Sequence, residues 1–234
     1  MLRKCSVSRE FNLSLSSVQL RADRIELNGT YIAQAGQKTW VGSPLLEHKR
    51  CDESIFAISN TIAYDNLIKR DKGANEAKLK NYWIDVSVRG GFRLDTIEGN
   101  ARIEEINALK AFLAFYKHRT RGKISDISVI TPFVDVVNMS KNSNIELKTN
   151  TIHTMQGRES KVVVLVLGGT SADARSWAAK RPNLLNVALT RARQNFFVIG
   201  DFKAWSSLPY FRTLAQNIAR IDSSDIEDIF NAHL

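Results

Sequence analysis

The stretch that decides the fold runs from Thr151 to Asp201. It reads Thr151-Ile-His-Thr-Met-Gln-Gly-Arg-Glu159, then the apolar run Val162-Val-Val-Leu-Val-Leu167. Next come Asn186-Val-Ala-Leu-Thr-Arg-Ala-Arg193 and Phe196-Phe-Val-Ile-Gly-Asp201. Two short polar clusters each sit beside a strand of the buried type. The first ends in Gln156, Gly157, Arg158 and Glu159, and the second in Thr190, Arg191 and Arg193. Continuous apolar strands that alternate with helical segments indicate a parallel sheet covered on both faces. Arginines held at the ends of such strands are suited to gripping phosphates. Ligands of these sheets usually sit beyond the carboxyl ends of the strands, so the two clusters are expected to share a site there.

The rest of the chain agrees with this reading. At 234 residues, 44% hydrophobic and 24% charged, it can bury a substantial core. The formal net charge is +9, which favours a polyanionic partner. That charge is uneven. Residues 151–200 hold seven Lys/Arg against two Asp/Glu, while residues 201–234 hold three against five. The positive field is therefore concentrated around the two clusters. Cys5 and Cys51 are the only cysteines, too few for a disulfide framework and without metal-ligand spacing. A reducing, cytoplasmic setting is expected. No apolar run approaches the ~18 residues of a membrane span, and the N-terminus lacks a signal-peptide core.

Along the chain, Val18–Ile25 reads as a helix and Thr30–Ala33 as a strand. A helix over 52–64 follows, with Asp52 as its N-cap. Tyr82–Val86 is expected as a strand and Arg89-Gly90-Gly91 as a turn. Asn100 is expected to cap a helix over Ala101–Lys117, and the basic run Lys117 to Lys123 reads as a solvated loop. Strands are expected at Ile127–Thr131, Ile145–Lys148, Val162–Leu167 and Phe196–Ile199. Helices are expected over Val134–Ser140, Asn183–Arg193 and Pro209–Ile218, followed by an acidic tail.

Four segments, in this order, resemble superfamily 1 helicases, specifically the 5′-to-3′ branch that includes the nonsense-mediated-decay RNA helicase. Residues 40–51, Trp-Val-Gly-Ser-Pro-Leu-Leu-Glu-His-Lys-Arg-Cys, are similar to motif IV, and Phe56–Asn60 with Ala63-Tyr64 continue the likeness. Ile130-Thr131-Pro132-Phe133 resembles the segment that usually reads Thr-Pro-Tyr. Thr151–Glu159 resembles motif V, and Asn186–Arg193 resembles motif VI. The resemblance covers about residues 17–202. It implies a RecA-like three-layer α/β sandwich, with residues 42–206 as the second motor domain. Residues 1–41 would be the remnant of a junction with a first domain, and 207–234 a terminal helix and tail.

The same resemblance implies roles. Arg50 would contact the γ-phosphate of ATP, and Arg191 would act as an arginine finger, both stabilising charge in phosphoryl transfer. Gln156, Gly157, Glu159 and Arg193 would lie at the nucleotide. Thr131, Pro132, Thr151 and His153 would face single-stranded DNA or RNA, gripping phosphates without reading sequence. Plainer readings stand beside these. Arg193 also reads as a helix cap or ion-pair partner, His153 as a satisfied buried histidine, and Asn186 as a residue that holds a loop.

A motor ATPase also needs a glycine-rich loop ending in Gly-Lys-Ser/Thr and an acidic pair for Mg2+. Ala35-Gly36-Gln37-Lys38-Thr39 imitates the first, but Gln37 interrupts it. Asp52-Glu53 imitates the second, but follows no apolar strand. In the family both parts belong to a preceding RecA-like domain, so ATP and Mg2+ are expected only when such a domain completes the site. Three readings follow: a second motor domain that hydrolyses nothing alone, a stand-alone nucleic-acid-binding module, or an inactive remnant.

Overall fold

The computed structural model describes residues 30–34, 37–41, 47–48, 51–70, 79–87, 97–120, 123–155 and 158–231. The chain divides into residues 1–47 and 48–234. In the first unit, strands β1 (Thr30–Gln34) and β2 (Gln37–Val41) form an antiparallel pair in which Thr30 faces Val41. The expected helix at Val18–Ile25 lies outside the described residues.

The second unit is built on a six-stranded sheet. Its strands are β3 (Tyr82–Asp85), β4 (Ile127–Thr131), β5 (Thr149–Thr151), β6 (Ser160–Val166), β7 (Ala192–Gly200) and β8 (Ala219–Asp222). The spatial order is β8-β3-β7-β6-β4-β5, and every neighbouring pair is parallel. β6 and β7 lie at the centre, where Val163–Val166 and Phe197–Ile199 are wholly buried. An uninterrupted apolar run is what a strand covered on both faces requires. Helices α1 (Glu53–Ala63), α2 (Ile103–Arg119), α3 (Val134–Asn142), α4 (Ala172–Ala178), α5 (Pro182–Leu189) and α6 (Phe211–Asn217) accompany it. Phe112 of α2 packs on Phe197 and Phe230, at centroid distances of 4.7 and 5.5 Å. Trp83 and Trp205 are fully buried, and their indole N–H groups donate to the carbonyls of Gly200 and Gly168. Among the described residues no helix is long and apolar enough to cross a membrane.

Local chemistry sets several boundaries. Asp52 caps α1, its carboxylate accepting from Ser54 N–H at 3.0 Å, which explains the Asp-Glu pair that imitates a magnesium site. Asn100 caps nothing. Its backbone and side-chain N–H groups both donate to Asp135, and α2 starts at Ile103 after a short antiparallel pairing of Ile97–Glu98 with Ala101–Arg102. That helix runs on to Arg119, so Lys117 and Arg119 stand in its last turn. There they pair with Glu146 and Glu227.

Ile145 and Leu147 carry a strand-like alternation but only rest against the core. Ladder pairing begins later, at Thr149 opposite Val129, where the Thr149 hydroxyl meets that of Ser140 at 2.6 Å. α5 ends at Leu189, and the Thr190 hydroxyl turns back onto the backbone carbonyl of Asn186. Arg193 consequently lies in strand β7, not in a helix. β8 is a sixth strand within the expected terminal tail. Its exposed, polar composition hides it from periodicity.

Candidate nucleotide and nucleic-acid faces

The register of the sheet puts the two polar clusters at the amino ends of the central strands. Ser160 faces Ala192 at the start of β6 and β7, and both strands run from there toward Val166 and Gly200. Glu159, Arg191 and Arg193 therefore converge on the amino edge. This corrects the expectation of a site beyond the carboxyl ends. The clusters meet because backbone bonds fasten them. Ser160 N–H donates to the Arg191 carbonyl at 3.0 Å, and Asp52 N–H to the Arg193 carbonyl at 2.9 Å.

At this edge Arg191 is half-buried. Its Nε donates to the Val187 carbonyl at 3.3 Å and its Nη1 to the Arg158 carbonyl at 3.1 Å. These neutral partners orient the guanidinium without cancelling its charge. Arg193 Nε pairs with Glu159 Oε2 at 3.2 Å. Their side chains are 48% and 33% exposed, so the pair contributes little to stability. The cationic groups and the adjoining backbone suit an anionic, phosphate-bearing ligand. Among the described residues no cluster of His, Cys, Asp and Glu could hold a metal ion. Arg50, Gln156 and Gly157 lie outside the described residues.

Asn186 is a clamp. Its carbonyl accepts from the Ser59 hydroxyl at 2.6 Å and its amide donates to the Tyr64 hydroxyl at 3.2 Å, tying α5 to α1. The residue thus joins two helices, where the plainer sequence reading had it holding a loop.

Thr131, Pro132, Thr151 and His153 lie at or just past the opposite, carboxyl ends of β4 and β5, where Thr131 faces Thr151. Thr131 and Pro132 are buried, and the Thr131 hydroxyl accepts from Phe133 N–H at 3.3 Å. That hydroxyl shapes the turn and does not reach the surface, contrary to the expectation of a direct phosphate grip. Thr151 is half-buried and His153 is exposed, so the buried-histidine reading fails. The turn Ile152–Met155 is closed by the Thr154 hydroxyl, which donates to the Thr151 carbonyl at 2.8 Å.

This turn contributes to two clefts. One, of about 490 Å³, includes His153, Trp177, Lys180 and Arg181 in its lining. The other, of about 330 Å³, includes Lys141, Lys148, Thr151, Thr154 and Arg158. Among the described residues neither lining contains a carboxylate. Sequence reasoning missed Lys141, Lys148, Trp177, Lys180 and Arg181. The run Arg175-Ser-Trp-Ala-Ala-Lys-Arg181, an aromatic between basic residues, was the available signal.

A third polar group is buried behind the carboxyl edge. Glu105 of α2 is completely enclosed, and both its oxygens accept from Gly168 N–H, at 3.1 and 3.0 Å. Gly168 has φ +61°, and a Cβ there would stand 2.5 Å from the Asn100 carbonyl, so the backbone approach requires glycine. Burial pushes the Glu105 carboxyl up to about 8, against the opposing pull of Arg102 and of the Gly168 bond.

Comparison with known proteins places these features in context. A family described as AAA domain matches residues 34–203. The "Regulator of nonsense transcripts 1 homolog" of Arabidopsis thaliana is 31% identical over 125 residues, covering 48% of this chain and 10% of that protein. An uncharacterized ATP-dependent helicase of Methanocaldococcus jannaschii is 27% identical over 197 residues, covering 75% of this chain and 29% of that protein. The chain thus spans about a tenth to under a third of the length of these relatives. Among solved structures, the C-terminal domain of a possible DNA helicase from Lactobacillus plantarum aligns at 11% identity and TM-score 0.45, over 73% of this chain and 97% of that one.

Proposed function

The chain belongs to the AAA-domain helicase family, and from that premise we propose that it is the second RecA-like motor domain of an ATP-dependent helicase of superfamily 1. The observation that carries this reading is the separation of two polar faces on one sheet. Glu159, Arg191 and Arg193 gather at the amino edge, while Thr151, His153 and the cleft of Trp177, Lys180 and Arg181 lie toward the carboxyl edge. A motor that couples nucleotide state to nucleic-acid grip needs two such faces on one rigid element.

In this proposal the amino edge meets ATP. Arg191, with Arg50, stabilises the charge that develops on the transferring phosphoryl group. Glu159 and Arg193 position one another beside it, and Gln156 and Gly157 complete the approach. Bound with Mg2+, ATP supplies the free energy of phosphoryl transfer. The chain has no Gly-Lys-Ser/Thr loop, so a first RecA-like domain, in cis or in trans, brings the phosphate cradle and the magnesium acids.

The carboxyl edge meets single-stranded DNA or RNA. Thr151, Thr154 and His153 present polar groups to phosphates, and the buried Thr131-Pro132 turn holds the strand end that carries them.

Fluorescence anisotropy with labelled oligothymidine and oligouridine tests the nucleic-acid face. The expected result is sequence-indifferent binding, on the order of micromolar or weaker, that falls steeply between about 50 and 200 mM salt. No change in anisotropy at low salt, or an affinity indifferent to salt, would contradict it.

A further inference from the structure

Trp177 and Val134 are the two most exposed large apolar side chains among the described residues, at 56% and 60%. Both adjoin Phe133, Val134 as its neighbour in sequence and Trp177 through a ring contact at 5.9 Å and 45°. Exposure on this scale is unusual for tryptophan. Trp83 and Trp205 show the ordinary alternative, since both are wholly buried. Trp177 lines the larger cleft, beside Lys180, Arg181 and His153, and among the described residues no acid shares that lining. An indole backed by another aromatic ring and flanked by cations matches what a nucleotide offers, a flat base and a charged phosphate.

We propose that Trp177 is a base-stacking platform for single-stranded nucleic acid. One base lies on the indole, and the adjoining phosphates rest against Lys180 and Arg181. The surrounding positive charge selects a polyanion over an apolar protein segment, and the aromatic selects a strand with free bases over a duplex. Phe133 supports the indole from below, which ties the platform to the Thr131-Pro132 turn and hence to the end of β4. The platform rests on the nucleic-acid reading above and adds a residue that grips bases where the other contacts grip backbone.

The test compares wild-type, W177A and W177F chains by anisotropy on oligothymidine and on an abasic deoxyribose-phosphate oligomer of equal length. On oligothymidine, W177A should bind about 5- to 100-fold more weakly, the range expected for losing one stacked base, and W177F should stay within about threefold of wild type. On the abasic oligomer all three chains should bind alike. Equal oligothymidine binding by W177A and wild type would overturn the platform while leaving the wider reading intact. So would an equal loss on both oligomers, which marks a structural effect or a protein-docking face. Failure of the wild-type chain to bind either oligomer would overturn both. Because Trp177 is more than half exposed, the substitutions should leave thermal melting unchanged.

Discussion

Arg191 shows how the fold orients a single guanidinium. Its side chain is oriented by two backbone carbonyls, those of Val187 and Arg158, one from the end of α5 and one from the loop before β6. A positive group held by neutral dipoles keeps its charge for a ligand, whereas Arg193 shares its charge with Glu159. The convergence of Glu159, Arg191 and Arg193 on one edge was legible in the motifs. Thr131 was not legible in the same way. A hydroxyl beside a proline at a strand end looks available, but only the packed structure shows it wholly buried against Phe133 N–H. Thr131→Val should therefore act on stability. We expect a loss of about 1–3 kcal/mol in chemical denaturation, because a buried N–H loses its acceptor, with no change in oligonucleotide affinity of the folded protein. A selective loss of affinity at unchanged stability would instead restore the direct-contact role.

Among the elements, the alternation of strand and helix from Tyr82 onward was legible because continuous apolar strands and strong helix signals rest on local periodicity. The misplaced elements have two causes. Ile145 and Leu147 alternate like a strand but only rest against the core, with ladder pairing starting at Thr149. Arg193 follows a helical pattern but is drawn into β7 by the Ser160–Arg191 bond, and β8 has no apolar signature yet pairs with β3, so there long-range hydrogen bonds override local pattern. Glu105 is a further instance, an acid on a helix face that the sheet then encloses. Its carboxyl is raised from 4.5 to about 8 in the folded chain, so the folded state holds a proton that the unfolded state releases. That contribution to stability is fully present below about 4.5 and declines as pH rises toward about 8. Glu105→Gln keeps an acceptor for Gly168 N–H and removes the titration. Thermal melts across this range should show wild-type stability falling relative to E105Q as pH rises. A constant difference between the two would mean that Glu105 does not titrate in this window.

At the scale of the molecule, the parallel α/β architecture and the pairing of the two clusters were legible, but the reading placed them at the wrong edge. The usual preference for carboxyl ends pointed the wrong way, since both clusters precede or open their strands in the chain and so sit at the amino ends of β6 and β7. The resulting layout puts the cleft of His153, Trp177, Lys180 and Arg181 toward one edge and the arginine cluster at the other, both within a stretch that carries more than half of the net charge. Such a layout has a direct consequence for activity. Arginines stabilise a phosphoryl-transfer transition state but cannot assemble one without a phosphate loop and magnesium acids. The most direct measurement is therefore ATP turnover by the purified chain, alone and joined to a first RecA-like domain, with and without single-stranded oligonucleotide. We expect no turnover alone and nucleic-acid-stimulated turnover when joined. In the joined protein Arg191→Ala should lower the rate by about 10³-fold or more, and Arg191→Lys should fail to rescue it because lysine lacks the planar fork. Sustained hydrolysis by the chain alone, or full activity of the joined protein carrying Arg191→Ala, would contradict the assignment.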